Sequence, residues 1–348
     1  MDSRQMIYVV MAGIFIVSSS WMEASAEGIS PPESLNISIN MAVEFMDHAA
    51  VAFIARDQDW FTAAGLNIKT FESFESGMAL AAALARDDVQ VAYLCLVPAI
   101  NACVNAGVSM KIVAGTHQYG YGLAVDRRRI KTVKDMEKSG VRIGCVQEGG
   151  AVDVLMRKII DIHRLDPDRV LKNVKRMPPA KQLLAIKTGQ LDAVMLPEQW
   201  LTMAESSGYE VLVTAQDVWP QMQGSVLAVK DELIRDHPET VKILFDLLAR
   251  GNTLIRNEPG QAAEIVARQM RLSKDGMSQD EKIIGSDQTA VSPEILERSM
   301  KRMEFTADIS PEEVQNTIDY MARLGYLKKK VPAEDILDLR FIQHEHTP

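Results

Sequence analysis

The chain has 348 residues, of which 47% are hydrophobic and 24% are charged, values that are ordinary for a globular protein of two domains. Its formal net charge of −9 argues against nucleic acid or an anionic membrane as a partner, because both require a basic surface.

The N-terminal segment has the order of a secretory signal peptide. Arg4 precedes an apolar run over residues 6–17, and small residues then lead to Ala24-Ser25-Ala26. The run is shorter than the ~20 apolar residues that span a membrane, which argues against the alternative of an uncleaved anchor. We therefore expect residues 1–26 to be a signal peptide that is cleaved after Ala26, giving an exported and soluble product.

The chain that follows alternates short β-like runs with amphipathic helices, which predicts an α/β fold with mostly parallel sheets covered by helices. The predicted strands are Leu35–Ile39, Leu66–Thr70, Val89–Leu94, Lys111–Gly115, Gly122–Val125, Arg142–Val146, Ala193–Leu196, Glu210–Thr214 and Ser225–Val229. The predicted helices between them include Ala49–Asp59, Met78–Arg86, Val152–His163 and Lys181–Lys187.

The pattern after Val229 is helical only. Residues 231–251 and 311–325 are the clearest of these helices, each closed by a glycine that is suited to a C-terminal cap. Four prolines stand near predicted helix starts, where a missing N–H costs little. They are Pro238, Pro259, Pro293 and Pro311.

Two glycine-bearing segments, 119–122 and 223–225, divide the predicted strands into two sets. If the chain crosses between lobes at both, residues 27–122 and 224–348 form one discontinuous lobe with C-terminal helices, and residues 123–223 form the second. Paired crossings are what a hinged clamp needs. Ordinary turns at these glycines are the alternative.

The three cysteines, Cys95, Cys103 and Cys145, cannot all pair with one another. Each lies in an apolar stretch, which favours buried free thiols. A Cys95–Cys103 disulfide is the alternative, because an exported protein meets an oxidising compartment.

Three segments, 48–73, 130–160 and 183–200, together resemble the type II periplasmic binding proteins of the nitrate/sulfonate/taurine ABC importer family, within the thiamine-pyrimidine-synthase-like superfamily. The resemblance implies two α/β lobes that close on a small-molecule ligand in a central cleft. It also implies a periplasmic location and a permease partner in the membrane. Ala50 and Leu96 depart from the family's usual proline and small residue, which puts the shape of the pocket in doubt and not the fold.

Ligands of open α/β sheets bind beyond the carboxyl ends of the strands, which selects six segments of this chain. These segments are 44–48, 74–77, 96–98, 117–119, 147–151 and 197–200. The candidate ligand-binding residues drawn from them are Glu44, Phe45, His48, Phe74, Ser76, Gly77, Leu96, Gln118, Tyr119, Gln147, Gly149, Gly150, Ala151, Glu198 and Trp200.

Several of these segments open helices, whose N-termini offer unpaired N–H donors and a partial positive charge. Ser76 is suited to cap one helix, and Gly149-Gly150-Ala151 begins another. Such termini facing one cleft could bind a carboxylate or sulfonate. Ordinary turns whose N–H groups face water are the alternative.

The six segments contain five carboxylates and neither lysine nor arginine. A bare inorganic anion would meet unfavourable charge if two of the carboxylates faced inward. We therefore expect a zwitterionic or nitrogen-bearing organic ligand, although Asp47 could simply cap the helix that follows it.

Three aromatic residues have alternative roles. Trp200 could stack on a ligand or pack in the core, and His48 and His117 could each donate a hydrogen bond to the ligand or lie in the core or on the surface.

Neither a nucleophile elbow nor a phosphate-binding loop is present in the sequence, so we expect a monomeric binding protein without enzymatic activity or cofactor. His344-Glu345-His346 has alternating potential metal ligands, but neither a cysteine nor a further histidine surrounds it, which favours a solvated tail over a metal site. The basic runs 127–129 and 328–330 either coat solvent-facing turns or help to dock a transporter. The alternative functions are a sensory ligand-binding component and a thiamine-pyrimidine-synthase-like enzyme, but the latter would need a cysteine-rich run that this chain lacks.

Overall fold

The structure, a computed structural model, describes residues 37–273 and 291–342. The expected signal peptide, its cleavage after Ala26 and the His344-Glu345-His346 run lie outside these residues. The described chain forms two five-stranded sheets surrounded by helices, which confirms the predicted α/β class.

The ten strands are named in chain order. They are β1 (Ser38–Glu44), β2 (Asn67–Phe74), β3 (Val91–Cys95), β4 (Met110–Gln118), β5 (Tyr121–Val125), β6 (Ile143–Cys145), β7 (Val174–Arg176), β8 (Ala193–Pro197), β9 (Glu210–Thr214) and β10 (Gln223–Lys230). All nine predicted strands occur with shifted ends, apart from β9, whose ends match. Strand β7 was not predicted.

The first sheet has the order β2-β1-β3-β10-β4, and the second has the order β7-β6-β8-β5-β9. In the first sheet β1 runs parallel to β2 and β3, whereas β10 is antiparallel to both of its neighbours. In the second sheet β6 runs parallel to β7 and β8, whereas β5 is antiparallel to both of its neighbours. Each sheet is thus mostly parallel, as predicted, with one antiparallel strand.

The helices are also named in chain order. They are α1 (Ala50–Asp57), α2 (Trp60–Ala63), α3 (Gly77–Ala85), α4 (Leu96–Val104), α5 (Ala151–Ile162), α6 (Pro167–Lys172), α7 (Pro179–Lys187), α8 (Glu198–Ser206), α9 (Ala215–Val218), α10 (Asp231–Asp236), α11 (Pro238–Asn257), α12 (Pro259–Ser273), α13 (Pro293–Met300) and α14 (Pro311–Arg323). Short 3₁₀ helices lie at Asp47–Ala49, Val133–Glu137 and Ala333–Asp335. Among residues 37–273 and 291–342, none of the helices combines the length and the apolar character that crossing a membrane requires.

The chain passes from the first sheet to the second between β4 and β5 and returns between β9 and β10. The two passages lie side by side: Gln118 pairs with Gln223, and the Tyr119 N–H donates to the Met222 carbonyl at 3.0 Å. Gly120 has a φ of +92°, and a Cβ there would lie 2.7 Å from His48 Nε2. The passage therefore needs glycine both for its backbone conformation and for its close contact with His48.

The C-terminal helices begin at the four predicted prolines, each at a first-turn position. The single helix predicted over residues 231–251 is wrong, because the structure has two helices, α10 and α11, that meet at His237. A residue before proline is disfavoured in the helical region, and His237 has φ −140° and ψ 57°. Gly251 is also not a cap, since it lies inside α11 and contacts Val51 of α1.

All three cysteines are free, so the alternative of a Cys95–Cys103 disulfide is wrong. Cys95 and Cys145 are buried, and Cys103 is partly buried. The core is therefore stabilised by apolar packing, which the sequence had favoured.

Candidate functional site

A cleft of about 540 Å³ lies between the two sheets, at the carboxyl ends of strands from both. Glu44 ends β1, Cys95 ends β3 and Pro197 ends β8, and all three line the cleft. Val146, which follows β6, lines it as well. The strand-end rule applied to the sequence therefore selects the same edge of each sheet that the cleft occupies.

Helices α3 and α5 begin at the cleft from opposite sides. Helix α3, on the side of the first sheet, presents Gly77 and Met78, and α5, on the side of the second sheet, presents Ala151 and Val152. The first-turn N–H groups of an α-helix have no acceptor within the helix, and they carry the positive end of its dipole. The cleft is therefore suited to an anionic group held between the two helices.

The start of α3 is fixed by two local features. The Ser76 hydroxyl accepts a hydrogen bond from the Ala79 N–H at 3.3 Å, as expected of a helix cap. Gly77 lies so close to β1 that a Cβ would be 1.9 Å from Glu44 Oε1. Any side chain at this position would displace the Glu44 carboxylate, so the glycine allows α3 to pack against the floor of the cleft.

The floor of the cleft is a buried polar cluster. The Cys95 thiol donates to Glu44 Oε2 at 2.8 Å, and the Tyr121 hydroxyl donates to Cys95 Sγ at 2.9 Å. Burial raises the pKa of Glu44 to about 7, although its hydrogen bonds from Cys95 oppose that shift. His48 lies beneath these residues, and burial lowers the pKa of its imidazole.

Arg176 is a functional candidate that sequence reasoning missed. It lines the cleft at the end of β7, donates to the Val146 carbonyl at 2.9 Å and forms an ion pair with the buried Asp153 at 2.6 Å. Arg176 lies outside the six segments selected from the sequence, so it brings to the cleft a positive charge that those segments lack. Because β7 has only three residues, partly buried or exposed, neither alternation nor a hydrophobic run marks it in the sequence.

The carboxylates of the cleft are also fewer and better paired than expected. Glu44, Glu75 and Glu148 line it, and Glu148 accepts a hydrogen bond from Arg157 at 2.6 Å. Glu198 is buried away from the lining and forms an ion pair with Arg302 at 3.3 Å. Repulsion of an anion is thus weaker than the sequence predicts.

Six of the fifteen candidate residues line the cleft. They are Glu44, Ser76, Gly77, Gln147, Gly150 and Ala151. The other nine lie outside the lining. They are Phe45, His48, Phe74, Leu96, Gln118, Tyr119, Gly149, Glu198 and Trp200.

The nine have identifiable positions. Phe45, Leu96 and Trp200 are buried in the hydrophobic core, and Phe74 packs against it. Gln118 and Tyr119 belong to the first passage between the sheets, where the Tyr119 hydroxyl donates to the Pro220 carbonyl at 2.8 Å.

Gly149 lies at the edge of the cleft. It has a φ of +78°, its N–H donates to Asp153, and its carbonyl accepts from Asn101 at 3.3 Å. Since Asn101 belongs to α4, this bond joins the two sides of the cleft.

The remaining lining residues are mainly apolar. Some of them lie in the segments selected from the sequence and could have been named there as candidate ligand-binding residues. Met46, Pro98 and Pro197 belong to strand-end segments that the sequence selected. Met177 and Pro178 follow the unpredicted strand β7 and were missed with it.

Comparison with known proteins gives one family match. The model of the NMT1-like family matches residues 31–270. Among curated proteins, the chain is similar to the bicarbonate transport ATP-binding protein CmpC of Synechocystis sp., with 26% identity over 161 residues. That match covers 44% of this chain but only 24% of CmpC, so the chain spans about a quarter of that relative.

Many solved structures share the fold at low sequence identity, and two of them illustrate it. One is the ligand-binding component of an ABC-type import system from Staphylococcus aureus with zinc bound, with a TM-score of 0.70, 15% identity and coverage of 87% of this chain and 97% of that one. The other is the alkanesulfonate-binding protein SsuA from Xanthomonas axonopodis pv. citri bound to MOPS, with a TM-score of 0.68, 16% identity and coverage of 87% and 98%.

Proposed function

This chain belongs to the NMT1-like family, and from that membership and its cleft we propose that it is the periplasmic substrate-binding component of an ABC importer. Its task would be to capture a small polar organic molecule and present it to the permease subunits in the membrane. This role requires no chemical step, no cofactor and no second copy of the chain.

One observation carries the proposal. The N-termini of α3 and α5 approach a single cleft from opposite sides, so that one bound anionic group could accept hydrogen bonds from both. A ligand held in this way joins the two sides and favours their closed arrangement, as a clamp requires.

The rest of the lining supports an organic ligand. Met46, Met78 and Met177 supply an apolar wall with flexible side chains that adapt to different ligands. Arg176 adds positive charge near an anionic group, whereas Glu44 could accept a hydrogen bond from an amine on the same molecule. We therefore propose a sulfonate-like or taurine-like, zwitterionic or nitrogen-bearing ligand.

Closure would turn about the two passages between the sheets. We propose that residues 27–122 and 224–348 form one lobe and residues 123–223 the other. Adjacent passages joined by hydrogen bonds allow rotation of one lobe against the other without sliding, which supports a hinge.

The proposal is tested by a thermal-shift screen of the purified protein, prepared with a chelator. The panel contains taurine, alkanesulfonates, nitrate, bicarbonate, amino acids, polyamines, pyrimidines and aromatic acids. A ligand at ~100 times its dissociation constant should stabilise the protein by about 2.7 kcal/mol. We expect an organic member of the panel to raise the melting temperature and to be recovered unchanged.

The position of the ligand is tested with Gln147→Ala. Gln147 is an exposed residue that lines the cleft, so its loss should weaken binding about 2-fold to 10-fold, the value of one hydrogen bond, with little effect on folding. Gln261→Ala, an exposed glutamine on α12, is the matched control. Equal affinities of the two variants by isothermal titration calorimetry would show that the ligand does not contact Gln147, which contradicts this prediction.

A further inference from the structure

Three potential metal ligands meet at the floor of the cleft. Glu44 ends β1, His48 lies in the 3₁₀ helix that follows it, and Cys95 ends β3. All three are buried, and their ligand atoms lie within 4.8 Å of one another. Cys95 Sγ is 2.8 Å from Glu44 Oε2 and 3.7 Å from His48 Nδ1. Ligand atoms around one tetrahedral metal ion, at ~2.0 to 2.3 Å from it, have separations of this order.

The tautomer of His48 favours metal binding. Its Nε2 lies 3.0 Å from the Gly120 carbonyl oxygen, which can only accept a hydrogen bond. Nε2 therefore carries the proton, and the lone pair is on Nδ1, the nitrogen nearest to Cys95 Sγ. Histidine ligands in proteins commonly donate their other N–H to a carbonyl in this way, because the bond fixes the orientation of the ring.

The other two ligands are oriented as well. The Cys95 N–H donates to Glu44 Oε1 at 3.1 Å, which leaves Oε2 directed at the thiol. The Tyr121 hydroxyl donates to Cys95 Sγ at 2.9 Å, a contact that would stabilise a thiolate. Each of the three ligands thus forms a supporting hydrogen bond with a group that is not itself a ligand atom: His48 donates one, and Glu44 and Cys95 each accept one.

Charge and access also fit a divalent ion. One thiolate and one carboxylate balance two positive charges, so the loaded site would add no net charge to a buried region. Glu44 and Cys95 line the cleft, which provides a path for the ion and an open side at the site. Thiolate and imidazole ligands favour zinc-type transition metals over magnesium and calcium.

We propose that Glu44, His48 and Cys95 bind one divalent transition metal ion, Zn²⁺ in the first instance, with a fourth coordination position open to the cleft. Binding replaces the thiol proton, which leaves to solvent. The open position would accept an oxygen or nitrogen atom of a molecule in the cleft, as in three-ligand zinc sites. This inference rests on the side-chain cluster alone and not on the proposed transport function.

The experiment is a titration of the full, chelator-treated protein with Co²⁺, whose absorption reports a bound thiolate directly. We expect one equivalent to bind with a thiolate-to-cobalt charge-transfer band, and Zn²⁺ to displace it. Cys95→Ser should abolish the band. Cys103→Ser should keep it, because Cys103 is a free thiol outside the cluster.

Two further variants test whether cobalt binds at the C-terminal histidines instead, and whether the Tyr121 hydroxyl supports the site. His344→Ala/His346→Ala removes the histidines of the C-terminal run and should leave the band unchanged. Tyr121→Phe keeps all three ligands and should weaken Co²⁺ binding about 10-fold to 100-fold, as the loss of an outer hydrogen bond does.

The proposal is overturned if the wild-type protein gives no thiolate band, if the band survives in Cys95→Ser, or if it disappears with His344 and His346. Circular dichroism checks that Cys95→Ser is folded. Should that variant not fold, the wild-type band and the Tyr121→Phe affinity still decide the question. Since no organic ligand is added, failure here leaves the result of the thermal-shift screen unaffected.

Discussion

Asp57 connects two helices through its carboxylate. Arg268 of α12 donates to both of its oxygens, at 2.9 and 2.6 Å, and Gln269 donates to Oδ1 at 2.9 Å. Hydrogen bonding from Arg268 lowers the pKa of Asp57 to about 2. A carboxyl group whose pKa is lowered by folding stabilises the protein above its unfolded pKa, and this contribution is lost as the pH falls through the folded value.

We expect Asp57→Asn to reduce the free energy of unfolding at pH 7 by about 1 kcal/mol at most, since Arg268 is 47% exposed. The difference from the wild type should fall by roughly half at pH 3 and vanish only below about pH 2, because protonation then removes the same charge from Asp57. Urea denaturation at a series of pH values measures this difference in the free energy of unfolding, with Asp59→Asn at an exposed position as control. A difference that is as large at pH 3 as at pH 7 would contradict this account.

At the scale of helices and strands, Gly251 sets the distance between α11 and α1. A Cβ at this position would lie 2.5 Å from Val51 Cγ1. Gly251→Ala should lower stability by up to about 2 kcal/mol, because the overlap costs about 1 to 3 kcal/mol and the higher helical preference of alanine offsets about 1 kcal/mol of that cost.

The control for Gly251→Ala is Gly260→Ala in α12, where the nearest atom to a new Cβ is Glu297 Oε2 at 3.9 Å. We expect no loss of stability there. Adding Val51→Ala to Gly251→Ala should relieve the overlap, so a double-mutant cycle that shows strict additivity would refute the close contact as the cause.

The sequence predicted most strands because they are buried apolar runs, as Ala193–Pro197 and Val91–Cys95 are. The first strand was predicted too early, at Leu35–Ile39, because a glutamate such as Glu44 is not expected at the end of a buried strand. Only the packing of Gly77 and Cys95 around its carboxylate explains that burial. Leu35 itself lies outside the described residues.

The sequence predicted site residues correctly where the position of the backbone alone brings a residue to the cleft, as at Ser76, Gln147 and Gly150. The sequence did not predict site residues correctly where the direction of the side chain determines whether the residue faces the cleft. Trp200 lies in the first turn of α8, near the cleft, but its side chain is buried in the core, and no periodicity in the sequence distinguishes the two directions. The cluster of Glu44, His48 and Cys95 joins residues up to 51 positions apart, which only the pairing of β1 with β3 brings together.

At the scale of the whole molecule, hydrogen bonds from Asn101 and Tyr326 join the sides of the cleft at its edge. Asn101 of α4 donates to the Gly149 carbonyl, and the Tyr326 hydroxyl donates to Asp153 Oδ2 at 2.6 Å. Tyr326 is itself held by Asn105, whose side chain donates to its carbonyl at 2.7 Å. The segment after α14 thus connects α5 by hydrogen bonds to the half of the molecule that carries the first sheet.

Tyr326→Phe should favour opening by about 1.5 to 3 kcal/mol, the value of a hydrogen bond to a charged group. We expect a larger radius of gyration for the variant without ligand, measured by small-angle X-ray scattering, and weaker ligand binding. Tyr209→Phe is the matched control, because its hydroxyl donates to Ile186 at 2.8 Å within the half that carries the second sheet. An unchanged radius of gyration and unchanged affinity in Tyr326→Phe would show that the bond does not hold the cleft closed.

The position of β10 has a consequence for the order in which the protein folds. It is the last of the ten strands that the described residues contain, yet it lies between β3 and β4 inside the first sheet. All five strands of the second sheet come from residues 121–214, so that sheet is complete before β10 has been synthesised. Until then β3 has one unpaired side and β4 has no neighbouring strand at all, and unpaired strand edges of this kind promote aggregation. The second sheet, whose strands lie in the middle of the chain, can therefore form first. The first sheet begins earlier in the chain but can be completed only after β10 has been synthesised.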